Sequence, residues 1–187
     1  MMKKYCTIIV IAFLAACGTE SDSSVSNSLW EYHASNYHEN WDGQVLPLVN
    51  QFLQFQNVIA GEDTLLINSS SAQLIQYTDT LLAQKGVPDS ITQQVWLNGL
   101  SVFRNELEAI LLETSLPEKK QQFQMSTIAL LHLLGDMGYR KTNVYVFEKT
   151  SNEEEIYWIG AGRTSKNMLD KKDKELYHAS QLLNENK

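Results

Sequence analysis

The apolar residues between Val45 and Leu134 recur every three or four positions, and this period constrains the fold more than any other feature of the chain. Residues at that spacing share one face of an α-helix, and this face must be buried against another element. Four such segments follow one another, separated by glycine and proline signals. The core positions expected from the first segment are Val45, Leu48, Val49, Phe52, Phe55 and Ile59.

The ends of the four segments are marked by residues that stop or cap helices. The first is expected to end at Gly61-Glu62-Asp63, and the second, weaker segment spans about Ser70 to Lys85. Asp89 or Ser90 can cap the third. The fourth restarts with Pro117 at a favoured first-turn position. Because the fourth segment is apolar on most sides, we expect it to lie centrally in the fold.

After Gly138 the pattern changes to one typical of β-strands. Val144-Tyr145-Val146-Phe147 and Ile156-Tyr157-Trp158-Ile159 are β-branched and aromatic, and the polar stretch from Thr150 to Glu155 between them is expected to form a loop. A last helix is expected from Asp173 to Leu183. Since short links make neighbouring helices antiparallel, the sequence predicts a mainly α fold, an antiparallel four-helix up-and-down bundle with a small C-terminal β-hairpin.

The N-terminus carries the pattern of an export signal. Lys3 and Lys4 precede an apolar run from Tyr5 to Ala16, which is too short to span a bilayer of about 30 Å and has the length of a signal-peptide core. The following Leu14-Ala15-Ala16-Cys17 resembles the bacterial lipobox, in which the cysteine sulfur receives a diacylglycerol and becomes the new N-terminus. The alternative is a plain secretory signal that happens to end in a cysteine.

This interpretation divides the chain into four regions. Residues 1–16 are the lipoprotein signal peptide, 17–41 hold the lipidated Cys17, a Ser-rich flexible tether and an aromatic segment, 42–170 form the bundle with its hairpin, and 171–187 are a polar or helical tail. Diacylglycerol and an acyl chain on Cys17 are the only covalent groups expected, with no other cofactor. The chain has 2 cysteines, and Cys6 leaves with the leader, so a disulfide, a CxxC pair and a cysteine nucleophile are excluded.

The residues that follow Cys17 indicate where in the envelope the protein is expected to lie, and the net charge limits which partners it is expected to bind. Gly18, rather than Asp, follows the cysteine, and this favours the outer membrane facing the periplasm over the inner membrane. Glu20 and Asp22 resemble the acidic export signals of some surface lipoproteins, so exposure on the cell surface is an alternative. A net charge of −7 without a basic stripe argues against nucleic acid. The expected partners are the bacterial membrane, through the lipid anchor, and an envelope protein.

The order of features between residues 45 and 171 resembles a known family. It is similar to the small helical domain of unknown function found in bacterial envelope proteins and appended to the periplasmic adaptor subunits of heavy-metal efflux pumps. The resemblance implies a helical fold and an envelope setting. It is carried by the segments Phe52 to Asp63, Phe123 to Gly138, Val144-Tyr145-Val146, Ile156-Tyr157-Trp158 and Ser165 to Leu169, with a helix opening near Trp96.

The soft metal ligands that the resemblance implies are mostly replaced. The family often carries a Cys-Pro-Met element after the Tyr-x-x strand and a second Cys after the Met-Leu pair, ligands that suit Cu(I). Here Glu148-Lys149-Thr150 and Asp170-Lys171 stand at those places, and only Met168 remains. Because a lone thioether beside lysines is a poor copper site, the metal function is not carried over with the fold.

Two histidines near the aromatic segment make a metal site the alternative to a partner surface. His33 and His38, with Met168, could supply ligands to copper or zinc. A separation of five residues places the two histidines about 140° apart around a helix, so a compact pair requires a loop. The competing interpretation is that they flank aromatic residues that pack onto the bundle. His132 could likewise act as a ligand or general base, although a partly exposed position on the polar edge of its helix is favoured.

The aromatic segment is the candidate partner surface. Trp30, Tyr37 and Trp41 are expected to be exposed, where aromatic residues dominate binding hot spots, whereas Trp96 and Trp158 are expected to be buried.

No G-x-S-x-G elbow is present, and Gly160-Ala161-Gly162 lacks the context of a dinucleotide loop. We therefore expect no enzymatic activity, but a lipid-anchored envelope module that binds a partner or ligand. The alternative is a periplasmic accessory protein that handles copper or zinc.

Overall fold

The computed structural model describes residues 32–33, 41–84, 90–151, 154–167, 169 and 172–183. Its order is four helices followed by five short strands. The helices are α1 (Asp42–Gly61), α2 (Thr64–Ala83), α3 (Ser90–Leu112) and α4 (Leu116–Asp136). The strands are β1 (Tyr145–Ser151), β2 (Glu154–Gly160), β3 (Thr164–Lys166), β4 (Leu176–His178) and β5 (Gln181–Leu182). The predicted mainly α fold with a C-terminal hairpin is confirmed.

Consecutive helices pack antiparallel, because residues near the start of one helix contact residues near the end of its neighbour. Ser71 in α2 donates a hydrogen bond to the carbonyl of Leu107 in α3, at 2.8 Å. Lys119, in the first turn of α4, is almost fully buried, and its ammonium group donates to the carbonyl of Ile110 near the end of α3, at 2.7 Å. A cation is favoured there by the negative end of the α3 dipole.

The core of the bundle is built on stacked aromatic rings. Phe52 of α1 lies flat against Phe123 of α4, with ring centroids 5.1 Å apart, and Phe103 of α3 packs against Phe52. These rings bring α1, α3 and α4 together, and α4 also packs against β2. The six core positions predicted for the first helix are all buried.

The boundaries of α1 and α4 agree with their sequence signals. At the end of α1, Glu62 adopts a left-handed backbone with φ of 63°. At the start of α4, the Ser115 hydroxyl accepts from the amide of Glu118, whose carboxylate accepts in return from the amide of Ser115. The Ser115 hydroxyl also donates to the Glu118 carboxylate at 2.7 Å, and this bond, followed by the one from the Ser115 amide, holds the pKa of Glu118 below its ordinary value.

The start of α2 and the hairpin loop differ from the prediction. Helix α2 begins at Thr64 rather than near Ser70, since the Asp63 carboxylate accepts from the amides of Leu65 and Leu66 and caps the helix there. The stretch from Thr150 to Glu155 was expected as a loop, but Thr150 pairs with Glu155 and the two strands continue to Ser151 and Glu154.

The predicted last helix, from Asp173 to Leu183, is wrong. The segment forms β4, which pairs with β3, and β5, which pairs with β1 and completes a sheet of order β2-β1-β5. One face of this sheet packs on the bundle through Val146, Tyr157 and Ile159. The opposite face, with Phe147 and Trp158, would be exposed without the C-terminal segment, which covers it.

Among the helices that the structure describes, none is long and apolar enough to be a candidate for crossing a membrane.

Candidate functional site

A groove between α3 and α4 is lined mainly by apolar side chains. Its volume is about 380 Å³. Its polar edge is formed by Glu106, His132 and Asp136, and no lysine or arginine is among the described residues that line it. The apolar lining consists of Gly99, Val102, Met125, Ile128, Ala129 and Leu133. Grooves with an apolar lining and a few polar groups at the edge are typical of binding sites.

A close contact between the two helices forms the floor of the groove. Gly99 of α3 faces Leu133 of α4, and a Cβ atom at position 99 would lie 2.7 Å from Leu133 Cδ1. Glycine therefore lets the helices approach here. Val102 and Met125, on opposite walls, keep 52% and 46% of their surface exposed. Because methionine is flexible and polarisable, Met125 can adapt its shape to a bound group.

The charged groups of the groove lie at its ends. The Glu106 carboxylate accepts a hydrogen bond from the Gln122 side chain across the two helices. Asp136, in the last turn of α4, lies 3.9 Å from His33 Nε2. His132 is exposed on α4, on the polar edge where the sequence predicts it. The polar edge of the groove therefore holds two acidic side chains and one histidine.

A second cavity lies between α1 and the sheet. Its volume is about 520 Å³, and Val49, Leu53 and Ile159 form its apolar side. The other side comes from the connection before β1, with Lys141 and Asn143. This cavity lacks the exposed large apolar side chains of the α3–α4 groove, so we regard the groove as the better candidate site.

The strongest electrostatic cluster of the described residues is structural. Asp173 accepts from Lys149 Nζ at 2.6 Å and from the Tyr177 hydroxyl at 2.8 Å. The hydrogen bond from Lys149, followed by the one from Tyr177, holds the pKa of Asp173 well below its ordinary value, while that of Lys149 is raised. Tyr177 also packs edge-on against Trp158. The cluster thus attaches the C-terminal segment to the hairpin.

Most of the residues predicted to bind metal, lipid or partners lie outside the described parts of the chain. These are Cys17, Trp30, Tyr37, His38 and Met168. His33 is described: its backbone amide donates to the carbonyl of Gly135 at 2.9 Å, and its side chain is partly exposed. Over the described ranges, no group of three or more His, Cys, Asp or Glu side chains is placed to hold a metal ion.

Trp41 is not on an exposed surface, contrary to the expectation for the aromatic segment. It is only 4% exposed, and its ring stacks on Trp96 with centroids 5.7 Å apart. The competing interpretation, in which aromatic residues pack onto the bundle, therefore holds for Trp41. Trp96 and Trp158 are buried as predicted.

The sequence interpretation missed the α3–α4 groove. The fourth helix is apolar on most sides, so its pattern does not show which side stays uncovered. The signal available in the sequence was that Val102 and Met125 are apolar residues outside the main apolar stripes of their helices, accompanied by the acidic Glu106.

Comparisons of the chain with family models, with curated proteins and with solved structures find no match in any of the three.

Proposed function

We propose that this protein is a lipid-anchored, non-catalytic module of the bacterial cell envelope, which binds a partner through its helical bundle. The observation that carries the proposal is the sequence Leu14-Ala15-Ala16-Cys17 at the end of a short apolar run. Small residues before the cysteine suit a peptidase that cleaves at that bond. The resemblance of residues 45–171 to helical envelope domains agrees with this setting.

The anchor would hold the bundle at the membrane by burying acyl chains. Each buried CH₂ group contributes about 0.8 kcal/mol, and two or more chains make the attachment stable. The sequence from Thr19 to Ser28 is polar and Ser-rich, a composition typical of a tether between an anchor and a folded domain. Gly18 favours the outer membrane, with the bundle in the periplasm.

The absence of catalysis is part of the proposal and rests on the sequence. Removal of the leader leaves Cys17 as the last thiol, and acylation would block it. No nucleophile elbow or phosphate-binding loop motif accompanies the serines and glycines. The α3–α4 groove, with its apolar lining, offers a surface for binding instead.

The two cysteines allow a matched test of the anchor. Cells that express the wild-type chain, Cys17→Ser or Cys6→Ser are labelled with radioactive palmitate and separated into membrane and soluble fractions. Wild type and Cys6→Ser should be labelled and found with membranes, whereas Cys17→Ser should lose the label. A labelled Cys17→Ser chain, or an unlabelled wild type, would contradict the proposal.

A metal-handling accessory is the second candidate. The partly exposed His33 lies near the Asp136 carboxylate, which provides nitrogen and oxygen donors on one surface. His38 and Met168 are the other two metal ligands expected from the sequence. Titration calorimetry of the mature protein and of His33→Ala/His38→Ala with Cu(I), Cu(II) and Zn(II) tests this. Affinity weaker than about 1 mM, or no loss in the double variant, would exclude it.

A further inference from the structure

We infer that the α3–α4 groove binds a peptide segment of a partner protein that presents bulky apolar side chains next to a lysine or arginine. This inference rests on the proposed partner-binding function and names the chemistry of the partner. It is carried by three features of the groove: exposed apolar walls, an acidic edge, and a length that suits a short peptide.

The apolar walls require an apolar ligand. Val102 of α3 and Met125 of α4 both line the groove, and about half of each side chain stays exposed. Ile128 lies on the same side, one turn after Met125. Covering these side chains would remove apolar surface from water, which is the main favourable term in association.

The charge at the edge selects a basic ligand. Glu106 accepts from the neutral amide of Gln122, so its negative charge is not cancelled by that contact. The nearest arginine in sequence, Arg104, is held by Asp79 and Glu108 on another side of α3. Since the described residues of the lining include no lysine or arginine, a cation on the ligand can pair with Glu106.

The dimensions and the net charge favour a peptide over a second copy of the chain. The groove extends along α4 from Met125 to Asp136, a distance of about 16 Å at 1.5 Å per residue. A helix of about eleven residues, or an extended segment of about five, has that length. A second copy would bring another chain of net charge −7 against the acidic edge.

The experiment uses a library of random peptides of about eleven residues displayed on phage, the length that fits the groove. It is selected on the purified mature protein in lipid nanodiscs after subtraction on empty nanodiscs. The selected peptides should combine bulky apolar residues with lysine or arginine. A synthetic consensus peptide should bind Met125→Asp and Glu106→Lys about tenfold more weakly than wild type. Replacing the peptide's basic residue with glutamate should restore binding to Glu106→Lys.

Two exposed positions outside the groove provide matched controls. Leu112→Asp introduces the same acid at an exposed apolar residue of α3, and Glu108→Lys makes the same charge reversal two residues from Glu106. Both should bind the consensus peptide within about twofold of wild type, since neither lines the groove. Glu106→Lys should still be acylated, which separates failure of this inference from failure of the anchor.

Several results would overturn the inference. They are the enrichment of no peptide, the enrichment of acidic peptides, or binding that Met125→Asp leaves unchanged. Sedimentation velocity of the wild-type protein and of Met125→Asp tests whether a second copy of the chain occupies the groove. A dimer of the wild type that this substitution abolishes would show that a second copy fills the groove, and would also overturn the inference.

Discussion

Gly99 packs against Leu133 at the floor of the groove, where even one added methyl group would be too close. We predict that Gly99→Ala lowers the free energy of unfolding by about 1–3 kcal/mol, because the new Cβ would meet a side chain that is fully buried and has little room to move. Urea unfolding followed by circular dichroism measures the change.

Gly43 is the matched control for this substitution. It lies in α1, and a Cβ there would have nothing within 4 Å. Gly43→Ala should leave stability unchanged or raise it by up to about 1 kcal/mol, since alanine is the better helix former. Equal effects at both glycines would contradict the close contact at Gly99.

Asp173 makes stability depend on pH. Its pKa is lowered in the folded chain, chiefly by the hydrogen bond from Lys149 and then by that from Tyr177. The ionised carboxylate therefore stabilises the fold at neutral pH. This contribution is lost as pH falls below about 4, where the unfolded chain takes up a proton that the folded carboxylate resists.

We predict that Asp173→Asn lowers the melting temperature at pH 7 and that its difference from wild type shrinks as pH falls from about 4 to 2. Thermal unfolding across this range measures the difference. Asp79→Asn, at a more exposed ion pair with Arg104, should have a smaller effect. A difference between Asp173→Asn and wild type that does not vary with pH would contradict the assignment.

Among the elements, α2 depends on a cap that the apolar pattern does not reveal. We predict that Asp63→Ala destabilises the protein by about 1 kcal/mol, because the amides of Leu65 and Leu66 lose their acceptor. Thr64→Ala, at the next and exposed position, should have little effect in the same chemical denaturation experiment. A loss at Thr64→Ala as large as that at Asp63→Ala would argue against the cap.

The sequence predicted helices and strands well where the apolar period agrees with the residues that mark helix ends. It predicted them less well where tertiary contacts determine the local structure. The end of α1 follows from Gly61, and the start of α4 follows from Pro117 in its first turn. The start of α2 was placed too late because Leu65 and Leu66 are exposed and break the apolar stripe. The segment from Asp173 to Leu183 forms strands because it covers the outer face of the hairpin, a contact that local propensity does not encode.

The same distinction applies to the candidate site. The proposed lipidation of Cys17 is predicted from a local motif, because a peptidase recognises a short stretch of sequence. The groove depends on which sides of α3 and α4 the other elements leave uncovered, so the exposure of Val102 and Met125 follows only from the packed bundle. Trp41 was placed on the surface for the same reason, since its contact with Trp96 joins distant parts of the chain.

For the whole molecule, side-chain amides join the sheet to the bundle. Gln56 of α1 donates to the carbonyl of Ile159 and accepts from its amide, at 3.0 and 3.1 Å. Gln124 of α4 accepts from the amide of Tyr157. These contacts occupy backbone groups of β2, which lies at the edge of its sheet and would otherwise be open to pairing with another chain.

We predict that Gln56→Ala destabilises the protein by about 2 kcal/mol, because the buried amide and carbonyl of Ile159 lose their partner. Tryptophan fluorescence and far-UV circular dichroism should still give coincident unfolding transitions, as expected if bundle and sheet unfold together. Gln54→Ala, at an exposed position of α1, serves as the control. Separate transitions in the wild type would contradict the coupling.

The proposed membrane anchor would determine where the bundle and its groove can act, and the mass of the intact native protein tests the anchor most directly. We predict a chain that begins at Cys17 and carries the added mass of a diacylglycerol and a further acyl chain. A mass that corresponds to the unprocessed chain from Met1, or to a cleaved chain without acyl groups, would contradict the account.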